Sequence, residues 1–388
     1  LSPQAALLEA RGEDLNVVNV LATQWSDYYT NVEHFTGELN RVSDERHLVY
    51  VNQESRHPTH GHTSLLALSR LVRPLAWGQR RHGYSEGTWG GHDYPAMAKV
   101  ADQTHHQGGF VAWAHMDDGI MDGELAIDVA LGKLDGIELF HFVDPFVEST
   151  WDGETRRPTT ELWYRFLNCG FRLPALAGTD KMFNRQLVGG VRVYVKIDGE
   201  LSYGAWIESA RAGRTFVTTG PMLDLVVGDA GIGEKVDRAA GGRVKVRASV
   251  ESATALDALE IVRGGEIVAS VSNPDLGKPV TLEVDIEVPT STWVAARAHG
   301  PVEHRVQELP EFDAPGIAAA AHTSPVWIVV DEAPVRSADD ARDLAELAQG
   351  HITWTVDNGR FLTDDDRAEV LGTFEAGLEV LRDMARGV

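Results

Sequence analysis

The chain has 388 residues, more than one ordinary core accommodates, so it is expected to divide into domains of roughly 100–200 residues. Apolar residues make up 43% and charged residues 24%, which is the balance of a folded globular chain and excludes a disordered one. A formal charge of −23 repels phosphate backbones and anionic lipid, which sets nucleic acid and membrane surfaces aside as partners and leaves a small-molecule substrate.

The elements follow in chain order. Residues 3–14 read as a helix, with Ser2 as N-cap and Pro3 at the first helical position. Val17–Leu21 and His47–Asn52 are apolar strands, the second ending at Gln53-Glu54. Gly61-His62 forms a loop that leads into Thr63–Leu68. Tyr94–Gln107 is helical, Phe110–His115 a strand, Leu125–Leu134 a helix and Gly136–Phe142 a strand. Thr160–Asn168 is a helix stopped by Gly170, followed by the strand Leu173–Gly178 that ends at Thr179-Asp180. Val191–Ile197 and Tyr203–Ala212 add one more strand and helix. Short apolar strands alternating with helices predict βαβ units and a parallel sheet, and polar residues at several strand ends favour a barrel over a doubly wound sheet.

After Gly220-Pro221 the pattern becomes period-two. Val244–Val250 and Val280–Val288 alternate, Gly264-Gly265 marks a two-residue hairpin, and Thr292–Ala298 and Pro325–Val330 add strands. An antiparallel sandwich-like domain is expected over 222–332, between a barrel over 1–221 and C-terminal helices over 333–388. The last helix, Asp364–Arg386, carries Val370, Leu371, Phe374, Leu378, Leu381 and Met384 on one stripe, available to the core or to a homo-oligomer interface. The single cysteine, Cys169, has no partner for an intrachain disulfide and reads as a small buried residue. Location stays open between the bacterial cytoplasm and export with a leader since removed.

Eleven of the fifteen histidines lie between His34 and His141, which points to metal or acid–base chemistry in that half. Glu54, His62, His115 and Asp180 fall at strand ends or in the adjoining loop, where a βα architecture gathers residues distant in sequence. Two imidazoles and two carboxylates suit zinc, manganese or iron. Glu54, His115 and Asp180 are the candidates for chemistry, and Arg56, Asp117 and His141 the candidates to face substrate. Taken singly, each has a bland reading: Glu54 a salt-bridged strand end, His62 a loop histidine, His115 a core histidine, Asp180 an N-cap. His57 and His60 are alternatives to His62 as ligand. Glu138 is expected to brace the barrel, His105-His106 to form a solvated helix end, and His322 to be structural. Trp113, Phe142, Trp151 and Phe183 are candidate pocket walls.

The runs Ala10–Val18, Val51–Arg56 with Gly61-His62, Val111–His115, Leu167–Pro174, Ala177–Asp180 and Gly213–Pro221 resemble the carbaryl-hydrolase-like branch of the PHP (polymerase and histidinol phosphatase) superfamily, with Ala321–Pro325 a weaker extension. The resemblance implies a distorted (β/α)7 barrel with a two- or three-metal centre at the strand ends, held by positions matching Glu54, His62, His115 and Asp180, and one to three divalent transition metal ions are expected here. It implies hydrolysis of an ester, amide or carbamate bond; the alternatives are a phosphoesterase or a catalytically reduced binding or scaffold protein. The family's opening strand with two His-x-His ligands has no counterpart here, so the sequence is expected to be either a shortened form of a longer protein or a reduced site.

Overall fold

The computed structural model describes residues 1–25, 28–75, 91–116, 123–141, 143–151, 154–181, 186–309 and 314–387. The chain is a mixed α/β protein that divides into two compact units. The first comprises Leu1–Gly136, Gly199–Ile207 and Ala338–Val388; the second comprises Ile137–Asp198 and Glu208–Ser337.

The first unit opens with α1 (Pro3–Gly12). Ser2 Oγ accepts the Ala5 N–H at 3.3 Å, as the sequence predicts, and Ala6 and Ala10 form a buried stripe one turn apart. β1 (Val17–Trp25) runs parallel to β3 (Leu48–His57), and the short β2 (Tyr28–Thr30) lies antiparallel on β1. β3 is buried along nearly its whole length, as a strand covered on both faces must be.

The next strand departs from the parallel expectation. β4 (Gly61–Leu66) turns straight back along β3, pairing His57 with Gly61 and Gln53 with Leu65. The turn Pro58–His60 is closed from inside, because His57 Nδ1 accepts the Thr59 and His60 N–H groups at 3.1 and 2.8 Å. Gly61 completes it at φ 130°, a conformation L side chains rarely adopt. After α2 (Met97–His105), β5 (Phe110–Trp113) pairs antiparallel with β4. β4 is therefore an antiparallel insertion between β3 and β5, and His62 is a strand residue rather than a loop residue.

The N-terminus of α2 has no side-chain cap of its own at Ala96. Its first N–H groups, on Met97 and Ala98, are taken at 2.8 and 2.9 Å by Glu124, which itself precedes α3 (Leu125–Ala130). His105, expected to be solvated, instead bonds Asp135 at 2.9 Å.

The second unit begins with β6 (Gly136–Phe140), then β7 (Ser149–Trp151), β8 (Glu154–Arg156) and α4 (Thr159–Asn168). Gly170, at φ 89°, follows α4 as the expected stop. β9 (Ala175–Ala177) is parallel to β6. β10 (Arg192–Val195), expected as a parallel strand, is antiparallel to β11 (Thr215–Thr218), which follows α5 (Tyr203–Arg211).

The remaining strands are β12 (Met222–Val227), β13 (Ala230–Gly231), β14 (Lys235–Arg238), β15 (Gly242–Glu251), β16 (Ala258–Arg263), β17 (Glu266–Ser272), β18 (Val280–Val288), β19 (Thr292–His299), β20 (Arg305–Leu309), β21 (Ala314–Ala318), β22 (Ala320–Thr323) and β23 (Val326–Val330). One sheet has the order β13-β12-β15-β18, and β10-β11-β22-β19-β16-β17 runs through another. Both contribute to one apolar core, with Val244, Val246, Ala248 and Val250 inward between exposed Arg243, Lys245 and Arg247. Gly264 and Gly265, at φ 57° and 93°, make the predicted hairpin turn between β16 and β17.

The chain ends in α6 (Ala338–Asn358) and α7 (Asp364–Arg386), both in the first unit. Thr363 caps α7, and Val370, Phe374, Leu378 and Leu381 of the predicted stripe are buried. Gly377 gives α7 its close approach to α3, since a Cβ there would lie 2.7 Å from Ile127 Cγ2. No helix among the described residues is long and apolar enough to cross a membrane.

Candidate metal centre

Glu54, His62 and His115 meet inside the first unit, and each is at most 5% exposed. Register explains the first two. Arg56 pairs with His62 and Glu54 with Ser64 across the β3–β4 hairpin, so Glu54, Arg56 and His62 share one face. Glu54 lies within β3, not at its end.

His115 arrives differently. It stands two residues past the end of β5, where Ala112 pairs with Ser64 and the Ala114 N–H bonds the His62 carbonyl. Simple alternation would then send His115 to the opposite face. Its φ of 43° breaks the alternation. The imidazole comes to 3.0 Å from His62, Nε2 to Nδ1, with the rings edge to face. A non-glycine residue in this region costs about 1–2 kcal/mol, a strain found most often at functional sites.

The three facing atoms are Glu54 Oε1, His62 Nδ1 and His115 Nε2. Their separations are 3.0 Å between the nitrogens and 3.8 and 3.5 Å from Oε1 to Nδ1 and Nε2. A circle through three points so spaced has a radius of about 2.0 Å, the length of zinc–nitrogen and zinc–oxygen bonds. Oε1 has no hydrogen-bond partner, although the carboxylate is buried. An orphaned buried carboxylate oxygen between two imidazole nitrogens fits a cation better than it fits a finished protein network. Among the described residues, these three form the group of histidine, cysteine and acidic side chains able to hold a metal ion.

The second carboxylate oxygen is occupied. Oε2 accepts from Thr23 Oγ1 at 2.5 Å and from Arg56 Nη1 at 3.3 Å. Burial pushes the Glu54 carboxyl up, but the Arg56 guanidinium first, then the His115 side chain and then the His62 imidazole outweigh it and hold Glu54 well below the usual carboxylate range. Burial, with help from Arg56 and His115, drives His62 well below the usual imidazole range against the pull of Glu54. At neutral pH the pair is thus an ionised carboxylate and a neutral imidazole, the protonation states a metal requires.

Arg56 turns its guanidinium to Glu54, with a side chain only 16% exposed. Asp180 and His141 belong to the second unit; Asp180 follows β9 with φ 46°, and His141 is fully buried after β6. Asp117, Phe142 and Phe183 lie outside the described residues, as does the side chain of Trp151. His57 and His60 do not replace His62. His57 Nε2 lies 3.4 Å from Asp93 Oδ1, and His60 Nδ1 lies 3.0 Å from His351 Nε2 on α6. Trp113 is a core residue. His322 is structural as expected, bonded at 2.6 Å to Tyr164 and at 2.8 Å to the Thr323 carbonyl, and Cys169 is buried.

Sequence reasoning missed Thr23, whose importance arises only from its pairing with Glu54 in the β1–β3 register. It also missed the buried carboxyls Asp93, Glu124 and Asp128 and the helix histidine His351. No family model matches the chain, and no curated protein matches it.

Proposed function

We propose that the protein is a metal-dependent hydrolase that binds a divalent transition ion, zinc, manganese or iron, through Glu54, His62 and His115 and cleaves an ester, amide or carbamate bond of a small molecule. The observation that carries this reading is the buried triangle around the orphaned Glu54 oxygen, with ligand atoms 3.0, 3.5 and 3.8 Å apart. The bond class comes from the resemblance to the carbaryl-hydrolase-like PHP branch, and a distorted (β/α)7 barrel is part of the same proposal. Asp180 enters as a further ligand through the Ala177–Asp180 motif, and Arg56 and His141 as residues toward substrate.

When bound, the ion supplies a Lewis acid that polarises the scissile carbonyl and acidifies water. The chain's own residues prepare for it. Arg56 and Thr23 keep Glu54 ionised and oriented. Burial keeps His62 neutral, so protons do not compete for its lone pair near neutral pH. Glu54 Oε1 and His115 Nε2, 3.5 Å apart, would be holding the ion, so a proton released there would pass to a group whose lone pair the ion does not occupy.

One observation favours a second reading. Arg56 already sets a positive charge 3.3 Å from Glu54. In a catalytically reduced protein this guanidinium alone would balance the carboxylate. Metal content decides between the two. After reconstitution with zinc, manganese or iron, elemental mass spectrometry of the purified chain is expected to show one to three equivalents, and His115→Ala less than about a tenth of that. Screens of carbamates, amides, esters and phosphoesters then rank the bond class. A wild-type chain that takes up no metal overturns the hydrolase reading in favour of the second.

A further inference from the structure

We infer that Thr23 is a positioning residue for the metal centre, fixing the plane of the Glu54 carboxylate so that one oxygen is spent on the protein and the other is presented to the two imidazoles. This rests on the metal-site reading above and identifies how this chain pre-organises it.

The argument starts from register. β1 and β3 run parallel, with Thr23 paired to Glu54, and the two residues share a face. A threonine hydroxyl facing a carboxylate can only donate to it. Here it does so at 2.5 Å, a charge-assisted bond of the strong kind. Threonine is branched at Cβ, so its χ1 is stiff and the donor direction is set by the strand itself. Arg56, two residues along β3, adds a second donor to the same oxygen at 3.3 Å. Both donors converge on Oε2 and none reaches Oε1.

The asymmetry is the point. The terminal torsion of a glutamate is broad, so an unheld carboxylate samples many planes. Two donors on one oxygen select a single plane, the one that leaves Oε1 at 3.5 Å from His115 Nε2 and 3.8 Å from His62 Nδ1. Arg56 alone does not do this, because its long side chain can follow the carboxylate as it turns. Thr23, short and fixed to the neighbouring strand, cannot. Residues that hold metal ligands in this way usually change metal affinity by 10–100-fold when removed.

The test uses the full chain and its variants Thr23→Val and Thr23→Ser. Valine keeps the shape and removes the donor, and serine restores the donor without the methyl. Zinc affinity is measured by competition with a chromogenic chelator. The visible absorption of the cobalt-loaded protein reports ligand geometry, and thermal unfolding before loading reports stability. The expected result is a 10–100-fold loss of zinc affinity and an altered cobalt spectrum in Thr23→Val, with unfolding within a few degrees of wild type and serine restoring most of the affinity. Thr23→Val with wild-type affinity and spectrum overturns the positioning role while leaving the metal site intact. Loss of affinity that merely tracks a loss of stability, with serine as poor as valine, overturns it in favour of packing. A wild-type chain that binds neither zinc nor cobalt overturns the metal-site reading and this inference with it.

Discussion

Two sets of buried histidines meet at the β3–β4 hairpin of the first unit, one joined by His351 of α6 and the other by His115 beyond β5. In the turn, the ring nitrogens face protein groups, although His57 Nε2, 3.4 Å from Asp93 Oδ1, is itself left without a hydrogen bond. His57 Nδ1 accepts two backbone N–H groups, which places its proton on Nε2, aimed at Asp93. His60 Nε2 lies 3.3 Å from the Asp93 carbonyl, so that nitrogen carries the proton and Nδ1 accepts from His351 Nε2 at 3.0 Å. Two residues further on, His62 and His115 converge on a carboxylate oxygen that nothing satisfies. Burial is the same in both places. What separates the two is the charged group at their centre: the Asp93 carboxylate is approached by one imidazole of the turn, whereas Glu54 Oε1 is faced by two imidazole nitrogens at 3.5 and 3.8 Å.

The largest effect expected from this comparison is at the open cluster. Glu54→Gln keeps the shape and removes the charge. Metal content by elemental analysis is expected to fall at least about tenfold, with any hydrolysis falling alongside it. The converse is expected at the closed cluster. His351→Ala removes the donor to His60 and opens a cavity beside Phe374, whose ring lies 5.1 Å from that of His351. A loss of about 2–4 kcal/mol in chemical denaturation is expected, with metal stoichiometry per folded chain unchanged. Equal metal loss in both variants would erase the distinction drawn between the clusters.

A pH series sharpens it further. Burial pushes Glu124 up to about 7, opposed by the N–H groups of Met97 and Ala98. Burial and the neighbouring Glu124 carboxyl push Asp128 well above the usual range, opposed by Lys133 and reinforced by Asp102. The folded chain therefore holds protons that the unfolded chain has released. Stability from this pair is full below the ordinary carboxylate pKa and is lost as pH rises toward 7. Asp128→Asn is expected to flatten that loss by several degrees of melting temperature between pH 5 and 8.

The buried imidazoles act in the other direction. Burial lowers His57 and His60, so the unfolded chain gains protons first, and stability is lost as pH falls below about 6.5. Retention of stability on acidification in a His57→Asn, His60→Asn double variant, relative to its own value at pH 7.5, would support this. A smaller effect still is expected at the exposed Lys245–Glu283 pair of the second unit. Its removal should change stability by less than about 1 kcal/mol, a baseline for the unfolding measurements.

Much of this was legible in sequence because it depends on local chemistry. The Ser2 cap, the Gly170 stop, the Gly264-Gly265 turn, the alternation of β15 and the boundaries of α7 are each set by residues within a few positions of one another. Glu54, His62 and His115 were legible as residues of the right kind in an apolar setting. Their meeting was expected from converging strand ends, but the route to it was not: it runs through β4 reversing against β3, which the alternation of strands and helices argued against, and through His115 in a left-handed conformation. Thr23, Asp93 and His351 carry no signal of their own, because each acquires its partner through register or packing across tens to hundreds of residues. The sequence by itself determined which segments become helix or strand and which side chains could bear charge in the interior. Only the tertiary structure decided which buried groups satisfy one another and which are left open, since hydrogen bonds close over about 3 Å in space, whatever the distance along the chain.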